Sequence, residues 1–104
     1  MGGKSRQIKI KTRTFNKHGD AVMFFREILG RYSNGERVSD TDSKELLALL
    51  ERHDEKQDKI GVGISHFYVD AGPEGFTKCF WIYRADKSVI DFSFMHCLKK
   101  KPYD

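Results

Sequence analysis

From residue 18 onward the apolar residues of this chain change their spacing once, and the change falls at residues 60–63. Before it they recur at helical intervals. Ala21, Phe24, Phe25, Ile28, Leu29 and Tyr32 make one stripe over residues 18–32, and Leu46, Leu47, Leu49 and Leu50 mark a second helix that fades near His53. After Ile60, where Gly61 and Gly63 interrupt the chain, they alternate. Residues 65–70 put Phe67 and Val69 on one side and His66 and Tyr68 on the other. Residues 78–85 (KCFWIYRA) carry the strongest aromatic and β-branched content, and residues 89–94 place Ile90, Phe92 and Phe94 on one face. Helical spacing followed by period two limits the chain to helices packed against a sheet.

Punctuation residues refine the boundaries. Asn16 suits the first helix as N-cap, and Asn34-Gly35 stops it. Ser39 with Asp42 three residues on is a capping-box variant that opens the second helix. Residues 54–59 (DEKQDK) read as a solvated connector, Gly72-Pro73-Glu74-Gly75 as a turn, and Asp86-Lys87-Ser88 as a hairpin loop. At the start, residues 7–14 (QIKIKTRT) alternate as a half-exposed strand, and residues 95–100 suit a short closing helix. The predicted fold is α+β in the order β–α–α–β–β–β. It has a mainly antiparallel sheet of three to four strands, two helices on one face, and the first strand pairing at an edge. With 104 residues the chain supports one domain, 1–104, with a basic arm at 1–6 and a basic tail at 99–104. The predicted core is Phe24, Phe25, Ile28, Leu46, Leu50, Phe80, Ile82 and Phe92.

The net charge of +4 is unevenly spread. Residues 1–18 hold six basic and no acidic residues, residues 19–59 seven and ten, residues 60–104 six and five. The excess lies in Lys4, Arg6, Lys9, Lys11, Arg13 and Lys17 and in Lys99, Lys100 and Lys101. Such ends either give a basic face for an anionic partner or simply keep a small protein soluble. The longest uncharged stretch, residues 60–69, is too short to span a bilayer, so no membrane partner is expected. The first residues lack the apolar core of a secretory signal, and Arg6 breaks the myristoylation pattern after Gly2. A cytoplasmic monomer is the expectation.

Chemistry-bearing constellations are sparse. Cys79 and Cys97 lie apart without a CxxC pair, and His18, His53, His66 and His96 match no ligand spacing, so no metal and no cofactor is expected. In an intracellular chain the two cysteines read as buried thiols rather than a disulfide. Gly61-x-Gly63 lacks the third glycine of a dinucleotide loop. An enzyme would have to draw on His66, Asp91 or Cys97; His66 and Asp91 share a predicted face, but no nucleophile joins them, and catalysis is not expected.

Strand alternation also gives the sheet a second face with His66, Tyr68, Cys79, Trp81, Tyr83, Asp91 and Ser93, and the first strand would add Lys9, Lys11 and Arg13. Rings that stack on unpaired bases beside cations that meet phosphates suit single-stranded RNA. The candidate nucleic-acid-binding residues are therefore Trp81, Tyr83, Tyr68, Lys9, Lys11, Arg13, Lys99, Lys100 and Lys101. Alternatively the same face is covered and forms a second small core, or that face or the acidic middle segment, residues 19–59, receives a protein partner.

Five segments resemble one known family in order and register: residues 21–29 (AVMFFREIL), 46–53 (LLALLERH), 59–64 (KIGVGI), 79–84 (CFWIYR), and 91–94 (DFSF) followed by Cys97. Together, spanning roughly residues 20–98, they resemble the DCL domain (defective chloroplasts and leaves), a family without an assigned function. Gly72-Pro73 stands where members often show His-Pro, and His96 where a basic residue often precedes the second cysteine. The resemblance implies a small domain without assigned catalysis, of the kind linked in plants to plastid ribosomal RNA processing and to the tails of specialised RNA polymerase subunits. This chain looks like a free-standing bacterial member. The implied partners are RNA or a protein of RNA metabolism.

Overall fold

The computed structural model describes residues 6–75 and 77–104; Lys4 and most of the expected basic arm lie outside the described residues. The elements run β1 (Ile8–Lys9), β2 (Thr14–Phe15), α1 (His18–Gly30), α2 (Asp40–Leu50), α3 (Lys56–Ile60), β3 (Ile64–Ala71), β4 (Lys78–Arg84), β5 (Val89–Phe92) and α4 (Phe94–Cys97). Strands β3, β4 and β5 form an antiparallel meander with β4 in the middle, as the period-two segments require. Among the described residues no helix is long and apolar enough to cross a membrane.

One face of the meander closes on the helices. Phe67, Val69, Phe80, Ile82 and Phe92 are buried there with Ala21, Phe25 and Ile28 of α1 and Leu46, Leu49 and Leu50 of α2. Phe92 packs against Phe67 and Phe80, with ring centroids 5.9 and 5.8 Å apart. Phe24, expected in the core, is only half-buried and packs at its edge against Phe15 and Phe25. Phe94 turns out of the last strand to begin α4, where Ser93 accepts the N–H of His96, and it still reaches Phe80. Helix α2 is capped as expected: the Ser39 hydroxyl accepts the Asp42 N–H at 3.1 Å. The first helix starts instead from Lys17, without a side-chain cap, so Asn16 does not serve.

Three parts depart from the expected order. Residues 7–14 do not make one strand: the main chain of Ile10 and Arg13 exchanges hydrogen bonds in both directions, folding the segment into the β1–β2 hairpin. Its Ile8, Ile10 and Phe15 then join the core. The free edge of β3 is taken by residues 35–38. Gly35 and Val38 donate to the carbonyls of Val69 and Phe67, and Val69 donates back to Glu36. Arg37 stands opposite Tyr68 as a bridge partner. The expected connector at 54–59 contains α3, a turn with too few apolar residues to show helical spacing; Arg84 of β4 donates to the carbonyls of Asp58 and Lys59 at its end. Gly61 follows at φ 55°, and a Cβ there would lie 2.9 Å from Arg84 Nε.

The basic tail is not free either. Arg52 is almost fully buried; it donates to the carbonyls of Cys97 and Lys99 and holds Asp104 bidentately at 2.8 and 2.6 Å. Lys101 is 6% exposed, its ammonium 2.8 Å from Asp54 and its N–H on Asp104. Arg6 adds a bond to the Leu98 carbonyl and lies 3.6 Å from Asp104. Arg52, first through its hydrogen bonds, holds the Asp104 carboxyl down at about 2.

Two outcomes follow. Phe92→Ala removes a ring held between Phe67 and Phe80, and urea denaturation is expected to show a loss of about 3–5 kcal/mol. The Asp104 pKa is depressed in the fold, so its contribution to stability is complete above the ordinary carboxylate range near 4 and drains away as pH falls toward 2. Asp104→Asn should melt lower at neutral pH and lose less on acidification over that window.

Candidate functional site

The outer face of the sheet follows from the ladder. His66 lies opposite Tyr83, Tyr68 opposite Trp81, Asp70 opposite Cys79, and Trp81 in turn opposite Asp91 of β5. Paired residues of an antiparallel ladder point to the same side. Arg37, opposite Tyr68, therefore extends the second row, which reads Arg37, Tyr68, Trp81, Asp91 across the strands. Trp81, Tyr83 and Tyr68 come together as the alternation predicts. All three are half-buried, so the face is neither sealed as a second core nor fully open.

The rings brace one another. Tyr68 and Trp81 stack at 6.0 Å and 16°, His66 and Tyr83 at 4.7 Å and 15°. The Trp81 indole N–H donates to the Ala71 carbonyl at 3.1 Å, which fixes its tip toward the end of β3. A ring pinned in this way meets a ligand with little side-chain entropy left to lose.

The electrostatics are graded rather than uniformly basic. Burial and then the charge of Arg37 lower the His66 pKa and so favour the neutral imidazole. On the other side, burial together with Asp91 and Asp70 pushes the Cys79 thiol up to about 11. Burial and the same Asp70 raise the Tyr68 phenol. The face thus has a cation beside β3 and carboxylates beside Cys79 and Trp81.

The other expected site residues fall elsewhere. Lys9, Lys11 and Arg13 sit on the β1–β2 hairpin, which pairs with itself and not with β3–β5. Arg13 is engaged there, bonded to Glu45 at 2.8 Å and lying 4.3 Å over the Phe24 ring. Lys99 and Lys100 are exposed, but Lys101 is buried against Asp54 and cannot contact a ligand. His66 and Asp91 are separated by β4 and do not pair. Cys97 is buried in α4, its thiol pushed by desolvation up to about 12. The trio His66, Asp91 and Cys97 is therefore not assembled. Cys79 is half-buried on the outer face, not in the core. The residue missed from sequence is Arg37. It lies between two helices in SNGERV, where only the single β-branched Val38 hints at an extended segment.

A family model described as "Protein of unknown function (DUF3223)" matches residues 26–98. The chain is 38% identical over 89 residues to "Protein DCL homolog, chloroplastic" of Arabidopsis thaliana, covering 79% of this chain and 41% of that protein. It is 37% identical over 82 residues to "Protein DCL, chloroplastic" of Solanum lycopersicum, covering 75% and 37%. "Protein EMBRYO DEFECTIVE 514" of Arabidopsis thaliana is 30% identical over 96 residues, covering 91% and 48%. The chain thus spans less than half the length of these curated relatives. A solution NMR structure of an uncharacterized protein from Rhodospirillum rubrum superposes with a TM-score of 0.81 at 37% identity, covering 93% of this chain and 91% of that one. The resemblance to DCL proteins and the α+β fold are both borne out, and a bacterial protein of nearly the same extent has this fold.

If Arg37 acts on His66 through space, Arg37→Ala should raise the His66 pKa part of the way toward its ordinary value, because burial remains the larger cause. Titration of the His66 ring proton signals by NMR measures that shift.

Proposed function

We propose that this chain, which belongs to the DUF3223 family of proteins of unknown function, is a non-catalytic, RNA-associated domain acting as a monomer in the cytoplasm, an accessory to ribosomal RNA maturation. The observation that carries this reading is the row Arg37, Tyr68, Trp81 on the outer face, with Tyr83 beside it. Braced, half-exposed rings would offer π-surface and edges to unpaired bases, and the exposed Arg37 beside them suits a phosphate. Exposed Lys99 and Lys100 add to the long-range positive potential. The resemblance to DCL proteins supports the ribosomal RNA setting.

A second reading has its own support. Asp70 and Asp91 flank Cys79 and Trp81, and the hairpin lysines are off this face, so the platform is aromatic and only weakly charged. Tyr- and Trp-rich patches of that kind are what protein interfaces bury at their centres.

Titration with a single-stranded RNA homopolymer separates the two. Trp81→Ala should weaken RNA binding by about 1–3 kcal/mol with the fold intact. Arg37→Ala should reduce the slope of log affinity against log salt by about one ion. If RNA leaves Trp81 fluorescence and the Tyr83 signals unmoved, the protein-docking reading takes its place.

A further inference from the structure

We propose that the trough between the β1–β2 hairpin and α2 docks an acidic peptide segment of a partner protein, one whose carboxylates alternate with apolar side chains. It is independent of the sheet face. A groove of about 680 Å³ is lined by Lys9, Ile10, Lys11, Ala48, Glu51 and Tyr103, among others. A neighbouring depression shares Lys11, Ala48 and Glu51 and adds Lys44 and Leu47, so the two run together along α2. The floor is apolar: Ile10 and Ala48 are buried, while Leu47 is 47% exposed and the aromatic Tyr103 67%. An apolar side chain laid there removes Leu47 and the Tyr103 ring from water.

The rim supplies the charge. Lys9, Lys11 and Lys44 are exposed, and among the described residues no carboxylate forms an ion pair with any of them. The nearby acids are engaged elsewhere: Glu45 with Arg13 and Thr12, Glu51 with Lys56 at 2.8 Å, and Asp104 with Arg52. Lys11 does help hold the Glu51 carboxyl ionised, but the Glu51 hydrogen bond goes to Lys56. Glu51 and Asp104, which stand in the lining, also select the class of ligand. A nucleic-acid backbone carries a charge at every step and would run against them. A peptide can place its carboxylates opposite the lysines alone and its apolar side chains over Leu47.

The test uses a fluorescein-labelled peptide of alternating glutamate and leucine, with lysine-for-glutamate and serine-for-leucine counterparts, read by fluorescence anisotropy. The glutamate–leucine peptide should bind, and each counterpart should bind at least about tenfold more weakly. The double variant Lys9→Glu with Lys11→Glu should lose about tenfold and come to prefer the lysine peptide. Leu47→Ser should weaken binding without altering its salt dependence, and Trp81→Ala should leave it unchanged. These substituted groove positions are exposed, so circular dichroism should show the fold retained. Four results would overturn the proposal: no binding of the glutamate–leucine peptide, equal binding of the lysine peptide, indifference to the double lysine variant, or single-stranded RNA binding that the double variant abolishes and Trp81→Ala does not. The last would make the trough a phosphate track and would also remove the sheet face as the RNA site. Loss of RNA binding on Trp81→Ala with no peptide binding would sink the trough alone.

Discussion

Strand β4 is hydrogen-bonded along both edges, to β3 and to β5, and this double ladder decides which side chains the protein can present. A central strand cannot rotate without breaking two sets of main-chain bonds, so its alternation is fixed. Phe80 and Ile82 must face the helices, and Cys79, Trp81 and Tyr83 must face away. The neighbouring strands inherit that polarity through their pairing, which assembles Phe67, Val69 and Phe92 on one side and His66, Tyr68 and Asp91 on the other. The core and the aromatic outer face are two readings of one register.

A second constraint comes from Arg52. A guanidinium buried at the end of α2 must have its charge matched and its donors filled, and partners come from the Cys97 and Lys99 carbonyls and the Asp104 carboxylate. Satisfying it draws residues 97–104 onto the body of the protein. Lys101 is carried inward with them and finds Asp54. The run of three lysines is thereby divided into two exposed cations and one structural ion pair.

The sequence was legible where a segment's pattern sets its own pairing. The meander, its faces, the second helix with its Ser39 cap and most of the core follow from period-two and helical spacing, since burial acts on those periods directly. Trp81, Tyr83 and Tyr68 were identifiable for the same reason. What could not be read depends on partners remote in sequence. Residues 7–14 alternate as one strand would, yet the turn at residues 10–13 folds them back, and alternation carries no record of which edge a strand will meet. Arg37 reaches the platform because residues 35–38 lie along β3, a placement set by the packing of two helices. Lys101 looked like its neighbours until the needs of Arg52 and Asp54 separated them.

The same placement of residues 35–38 has a consequence for how the fold varies in length. These residues both connect α1 to α2 and shield the β3 edge, and an uncovered edge invites pairing with another chain. An insertion between Arg31 and Val38 would slide Arg37 off its register and expose that edge at once. Among the described residues of the β3–β4 connection, none pairs with a strand edge, and Gly72 is bonded to Thr77 and to Gly75. Added length is therefore better tolerated at the six-residue β3–β4 connection than in the nine-residue link between the helices, which is held to its present size by the edge it covers.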